Sequence, residues 1–291
     1  MPAPDTAVFD RLSALAAIDA AGSRPQRTID EVFTGAPLGS VPVGTAEDVA
    51  VAVARARAAQ PHWAARPAAE RARVLHRFRD AVVTRRSALM DVIQAETGKA
   101  RWAAQEEVMG LMFAARYFAR VAPGLLDEQR VPGAFPILNR ARVGARPCGV
   151  VAVIAPWNYP LVLSLGDAIP ALLAGNAVVL KPDSRTPFSA LAGAELLYRA
   201  GLPRDLLAVV PGPGPVVGEA LVDACDYLMF TGSTRTGRAP PNRNGPREVA
   251  EYPQQGGQRR DRSHPGTTAG TLTGAAAHSE RASARPRRRA L

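Results

Sequence analysis

Cysteine and lysine are the scarcest reactive side chains in this chain of 291 residues. Two cysteines, Cys148 and Cys225, cannot build a disulfide framework. That excludes the stapled secreted classes and fits a reducing cytoplasm. No window approaches the ~18 uninterrupted apolar residues that a membrane-spanning helix takes. The opening "MPAPDTAVFDRL" has no basic segment leading into an apolar run, so no signal peptide is expected. No spacing of metal ligands stands out, and no metal site is expected. Of 36 basic residues only Lys99 and Lys181 are lysines; the other 34 are arginines.

The formal charge is +10. Residues 238–291 hold eleven arginines and four acidic residues, so 11 − 4 = +7 sits there and +3 is left for 1–237. The basic character thus belongs to the tail. That tail has six prolines and almost no large apolar side chains. It cannot bury enough surface to offset its ordering entropy, so 238–291 is expected to be disordered. Its closing "RPRRRAL" could contact phosphates, but the near-absence of aromatics favours a solvated tail over a nucleic-acid site.

Hydrophobic content of 47% is ample for one large domain or two ordinary ones. Residues 45–122 read as helices. Thr45 with Asp48 three residues on resembles a capping box, Val74, Leu75, Phe78 and Val82 recur at helical spacing, and Gly98 suits a C-cap. A longer helix follows, with Pro123-Gly124 as its expected stop. From about 140 the composition turns strand-like, and then apolar runs alternate with helices. Strands are expected at 150–155, 177–181, 206–210 and 227–230, with helices near 161–174, after Thr186-Pro187, and in "PVVGEALVDA". This alternation indicates an α/β fold with a parallel, doubly wound, Rossmann-like sheet.

Three short motifs follow three of these strands: "APWN", "KPDS" and "TGS". Ligands of open parallel sheets bind outside the carboxyl ends of the strands, so the three are expected to meet at one crevice. Asn158, bracketed by prolines, offers a rigid amide N–H that could support charge developing on a carbonyl oxygen; a turn asparagine bonded to its own backbone is the plainer alternative. Lys181 ends a buried strand and should face a wet or anionic crevice, unless its stem only snorkels to solvent. Gly232 and Ser233 stand where a strand turns into a helix, suited to an anion or to a simple N-cap. Gly212, Gly214 and Gly218 mark a second strand-to-helix turn, without the spacing of the usual dinucleotide fingerprint.

Taken together, "IAPWNYP", "GNAVVLKPDSRTP" and "FTGSTRTG" resemble the cofactor-binding half of the aldehyde dehydrogenase superfamily. "RTID", "DEVFTG", "AETGKARWAAQEE", "AELLYRAGLP" and "CDYLMFTGS" look closest to NADP-dependent succinate-semialdehyde dehydrogenases. The resemblance covers about 1–237. It implies an NADP-binding region in which Trp157, Asn158, Lys181, Pro182, Asp183, Ser184, Gly214, Gly218, Gly232 and Ser233 line the cofactor. Asn158 would support the oxyanion, Lys181 would contact the ribose, and Gly232 with Ser233 would lie beside the pyrophosphate. Ser184 stands where NAD-preferring relatives often carry a glutamate. A neutral serine next to Arg185 tolerates a 2′-phosphate, which favours NADP over NAD. The substrate would be an aldehyde such as succinate semialdehyde. Residues 130–150 resemble the family's oligomerisation arm, implying a homo-oligomer or association with an intact homologue.

The sequence departs from the family after "TGS". The family's cysteine nucleophile and its glutamate base come later, in a "Glu-Leu-Gly-Gly-Lys" stretch and beyond; here 254–260 reads "QQGGQRR", and no cysteine follows Cys225. Cys148 and Cys225 each enter a strand and are both expected to be small buried residues rather than nucleophiles. Pro240-Pro241 should cut short the helix after Ser233, and no further sheet strand is recognisable. The abrupt change near 238 resembles a reading-frame shift. The resulting expectation is an aldehyde dehydrogenase lineage that keeps a cofactor site without its own nucleophile. A non-enzymatic protein that associates with nucleic acid through its arginine-rich tail, or that joins intact homologues as a subunit, is the competing reading.

Overall fold

The computed structural model describes residues 6–18, 24–132, 140–237 and 249–253. All of them fall in one compact unit, 1–254. A short helix α1 (Thr6–Ser13) precedes an antiparallel hairpin of β1 (Gln26–Asp30) and β2 (Pro37–Pro42). Four helices follow: α2 (Ala46–Ala64), α3 (Ala68–Thr84), α4 (Arg86–Thr97) and α5 (Arg101–Leu126). The start of α2 is the expected capping box, with Thr45 and Asp48 each accepting a main-chain N–H of the other. Gly98 ends α4 at φ 70°, a left-handed cap that glycine adopts without strain.

Helix α5 runs past its expected stop. Pro123 lies inside it, and the helix continues to Leu126. A proline removes one N–H, and so close to the end the helix loses little by it; Pro123 O still accepts from Asp127 N at 3.2 Å. An exposed antiparallel pair comes next, β3 (Gln129–Pro132) with β4 (Arg140–Val143), inside the stretch likened to an oligomerisation arm.

The core is a five-stranded, wholly parallel sheet: β5 (Val150–Ile154), β6 (Ala177–Lys181), β7 (Leu207–Val209), β8 (Tyr227–Gly232) and β9 (Val249–Pro253), in the order β7-β6-β5-β8-β9. The first three crossovers are α6 (Val162–Leu173), α7 (Pro187–Arg199) and α8 (Glu219–Ala224). Strand β6, "AVVLK", is buried along its whole length, as a strand covered on both faces must be. Right-handed crossovers put α6 and α7 on one face, backed by α3 and α5, and leave α8 with α2 on the other. Gly175 (φ 93°) and Gly201 (φ 98°) close the turns after α6 and α7 where the sequence places them.

Strand β9 corrects one expectation. Residues 249–253, read as part of a disordered tail, pair in parallel with β8 from Leu228↔Val249 to Gly232↔Pro253. Main-chain pairing with an exposed strand edge needs no large apolar side chains, so composition did not reveal it. The rest of the tail, 238–248 and 254–291, lies outside the described residues, as do Pro240-Pro241. After β8, only one turn of helix, α9 (Thr234–Gly237), is described.

Candidate functional site

The strand order reverses at β5. From it the chain moves outward through β6 to β7, then returns to lay β8 against the other edge of β5. Diverging loops at such a switch point open a crevice outside the carboxyl ends of the two central strands. The loop after β5 carries Trp157 and Asn158, the loop after β6 carries Pro182, Asp183 and Ser184, and Gly232-Ser233 ends β8. Parallel pairing aligns these ends, with Ile154 beside both Lys181 and Phe230. All three motifs therefore share one rim.

Contacts between the loops tighten this picture. The Arg185 guanidinium lies 4.9 Å from the centre of the Trp157 ring, joining the loops after β5 and β6. Ser184 Oγ donates to Gly212 O at 2.8 Å, joining the loop after β6 to the glycine-rich turn after β7. A Cβ at Gly218 would lie 3.8 Å from Ile154 Cδ1 and 4.0 Å from Lys181 Cδ, so the turn into α8 passes over the ends of β5 and β6. Gly214, two residues past Gly212, has open space around it. Trp157 is 46% exposed, and Asn158 beside it is half-buried.

Lys181 is the most constrained charge here. It is only 5% exposed, and its Nζ donates to Pro182 O at 3.1 Å. Burial lowers the pKa of its ammonium, partly opposed by the charge of Asp183. Burial would raise the Asp183 carboxyl, but side-chain and main-chain N–H groups of Arg185, with the charges of Arg185 and Lys181, hold it below the ordinary range. The hydroxyls of Ser164, Thr186 and Thr231 are buried without a hydrogen-bond partner among the described residues. Buried polar groups in this state are uncommon. Ser233 acts as an N-cap: Thr236 N donates to its Oγ at 3.2 Å.

The two thiols lie elsewhere. Cys148 precedes β5 and Cys225 precedes β8, so both sit at amino-terminal strand ends, a strand's length (roughly 16 Å) from the rim. Cys225 is buried as expected, and burial pushes its thiol up to about 12. Cys148 is exposed, not buried, because the segment leading into β5 runs over the surface before the strand enters the core.

Sequence reasoning missed the residues that hold the loops. Glu107 on α5 and Glu96 at the end of α4 are buried carboxylates that accept main-chain N–H groups at the starts of α6 and α7. Burial pushes Glu96 up to about 8 against the pull of Ser189 and Phe188. Local sequence gives no sign of either contact, since the partners are 54 and 92 residues away. A cavity of about 180 Å³ lined by Leu12, Arg85, Leu89, Glu195 and Arg199 lies between α1, α4 and α7, away from the rim. Among the described residues no three His, Cys, Asp or Glu side chains gather to hold a metal ion, and no helix is long and apolar enough to cross a membrane.

Residues 18–243 match the aldehyde dehydrogenase family. This chain belongs to that family. It is 59% identical over 258 residues to a Mycobacterium ulcerans protein named "Putative succinate-semialdehyde dehydrogenase NADP(+) 2", covering 89% of this chain and 50% of that one. A Mycolicibacterium smegmatis protein, again named a putative succinate-semialdehyde dehydrogenase with NADP(+), is 60% identical over the same shares. The chain thus spans about half the length of the curated relatives it matches. An alignment of 258 residues cannot fit within 1–237, so at least 258 − 237 = 21 residues matched to the family relative lie beyond that boundary. Among solved structures, a succinate-semialdehyde dehydrogenase from Burkholderia pseudomallei superposes with a TM-score of 0.70 at 35% identity, over 74% of this chain and 44% of that one. An NADP-dependent glyceraldehyde-3-phosphate dehydrogenase from Bacillus halodurans, complexed with NADP, gives 0.69 at 33% identity, over 75% and 46%.

Proposed function

We propose that this chain binds NADP across the carboxyl rim of its parallel sheet, as the cofactor-binding half of an aldehyde dehydrogenase acting on succinate semialdehyde or a similar aldehyde. One observation carries the reading: three loops distant in sequence meet at the switch point through Arg185–Trp157 and Ser184–Gly212. The residues fit the cofactor. Lys181 has ammonium donors beyond the one used on Pro182 O, suited to ribose oxygens. Gly218 keeps the floor of the crevice free of a side chain. Pro182 and Asp183 shape the loop, and Gly214, Gly232 and Ser233 border it.

Ser184 and Arg185 set the preference for the 2′-phosphate. Ser184 is neutral, and its hydroxyl is tied to Gly212 O. Arg185 brings a positive charge to the same edge, where Asp183 and the Trp157 ring hold it. A carboxylate at 184 would repel a 2′-phosphate at close range. Bound NADP supplies a hydride acceptor. This chain's part is to hold it, to keep Asn158 on a proline-bracketed loop beside the reacting carbonyl, and to exclude water there. With both thiols at the far ends of the strands, no cysteine among the described residues lies near Asn158, so we expect cofactor binding without aldehyde oxidation. The exposed β3–β4 pair supports self-association or association with a complete homologue.

The test is a titration of the full chain with NADP and with NAD, followed by intrinsic tryptophan fluorescence with a Trp157→Phe control to identify the responding ring, and then a turnover assay with succinate semialdehyde. Saturable NADP binding, tighter than NAD and lost in Gly218→Leu, is the expected result. Absence of binding refutes the cofactor reading, and sustained NADPH production by this chain alone refutes its inactivity.

A further inference from the structure

Helices α6 and α7 begin without help from their own preceding residues. Neither Leu161 nor Thr186 supplies a side-chain hydrogen bond to the first turn. Buried first-turn N–H groups left without an acceptor cost free energy, so each must find one elsewhere. At both helices the acceptor is a glutamate from the α4–α5 pair. Glu107 Oε2 accepts from Leu161 N at 3.0 Å and Val162 N at 3.4 Å. Glu96 accepts from Phe188 N at 2.6 Å and Ser189 N at 2.7 Å.

Glu107 has a second engagement. Its Oε1 accepts from Lys99 Nζ at 2.5 Å, and that ammonium lies 3.6 Å from the centre of the Tyr159 ring. Tyr159 is the residue after Asn158. One buried carboxylate therefore grips the far end of the loop after β5, and its counter-ion presses on a ring in the middle of it. The Lys99 side chain is largely screened from water and that of Glu107 fully so, which strengthens both contacts. The loop's other end is fixed by the sheet through Ala155 N donating to Lys181 O at 3.1 Å.

We propose that Lys99 and Glu107 are positioning residues for the loop that carries Trp157 and Asn158, setting where the reacting end of the cofactor site sits without touching it. The proposal rests on the cofactor reading above. It also predicts a division of labour: the loop after β6 has its own clamp in Glu96, so disturbing Glu107 should leave that loop in place.

The experiment uses the full chain and the variants Glu107→Gln and Lys99→Met, with two probes, NADP and 2′,5′-ADP, and amide hydrogen exchange in parallel. Glutamine keeps an acceptor for Leu161 and Val162 but turns an amide toward the Lys99 ammonium. Methionine keeps the stem and removes the cation from the Tyr159 ring. In both variants, NADP affinity should fall about tenfold, the scale of one hydrogen bond to a charged group, while 2′,5′-ADP affinity stays within twofold. Exchange should quicken at residues 157–163 and stay unchanged at Phe188 and Ser189. An equal loss for both ligands, or faster exchange throughout, would mark a general loss of stability and overturn the proposal. So would wild-type behaviour in both variants. If the wild-type chain binds neither ligand, the cofactor reading fails, and the exchange pattern alone then decides whether the clamp exists.

Discussion

Replacing Lys181 by methionine should make the protein more stable and a poorer binder of NADP. Lys181 is 5% exposed as a residue, and its ammonium has three N–H donors, of which one is spent on Pro182 O. An unmet buried donor costs roughly 1–3 kcal/mol, and methionine fills the same stem volume without one. Against this stands the loss of the attraction to Asp183, weak because Asp183 is already engaged by Arg185. Less that attraction and the bond to Pro182 O, the net gain should be about 1 kcal/mol, a Tm rise of roughly 2–4 °C for a unit of this size. In the complex the sign reverses. A hydrogen bond from a charged donor to a ribose or phosphate oxygen contributes about 1.5–3 kcal/mol, so NADP affinity should drop about 10- to 100-fold. Thermal unfolding without ligand and fluorescence titration with NADP read the two effects separately. A Lys181→Met protein that melts below wild type, or that binds NADP as well as wild type, would refute the claim that this lysine is held at a cost for its ligand.

Three further outcomes are expected. Ser184→Glu should invert cofactor preference, lowering the ratio of NADP to NAD affinity by about tenfold or more, as parallel titrations would show. Glu96 should make stability fall as pH rises. Its folded-state value of about 8 lies above the 4.5 of an unperturbed glutamate, so between those values the folded protein keeps a proton that the unfolded chain has released. Urea midpoints measured from pH 5 to 9 should decline across that window, and less steeply in Glu96→Gln. Native protein should react with a thiol reagent at one site, the exposed Cys148, and at two in urea, because Cys225 is buried with its thiol pushed up to about 12.

The parallel sheet was legible because its signal is local. Short runs such as "VVAVI" and "AVVLK" can be satisfied only by burial on both faces, and the glycines that close the intervening helices stand at the expected turns. The rim followed from connectivity: motifs after successive parallel strands share an end. Strand β9 was not legible, since its pairing uses main-chain groups that any sequence carries. Nor was the exposure of Cys148, where a small residue beside a strand looks the same whether the chain dives or skirts the surface. Pro123 misled because a proline's effect depends on how near the helix end lies, which is decided by packing.

By itself, the sequence determined the alternation of strands and helices, the side on which the motif-bearing loops emerge, and the residues they carry, because those follow from periodicity and turn chemistry along the chain. How those loops are held emerges only once the chain has folded. Glu96 and Glu107 supply the acceptors that α6 and α7 lack, across 92 and 54 residues of chain, and no local pattern encodes a hydrogen bond between groups that meet only after the core has closed.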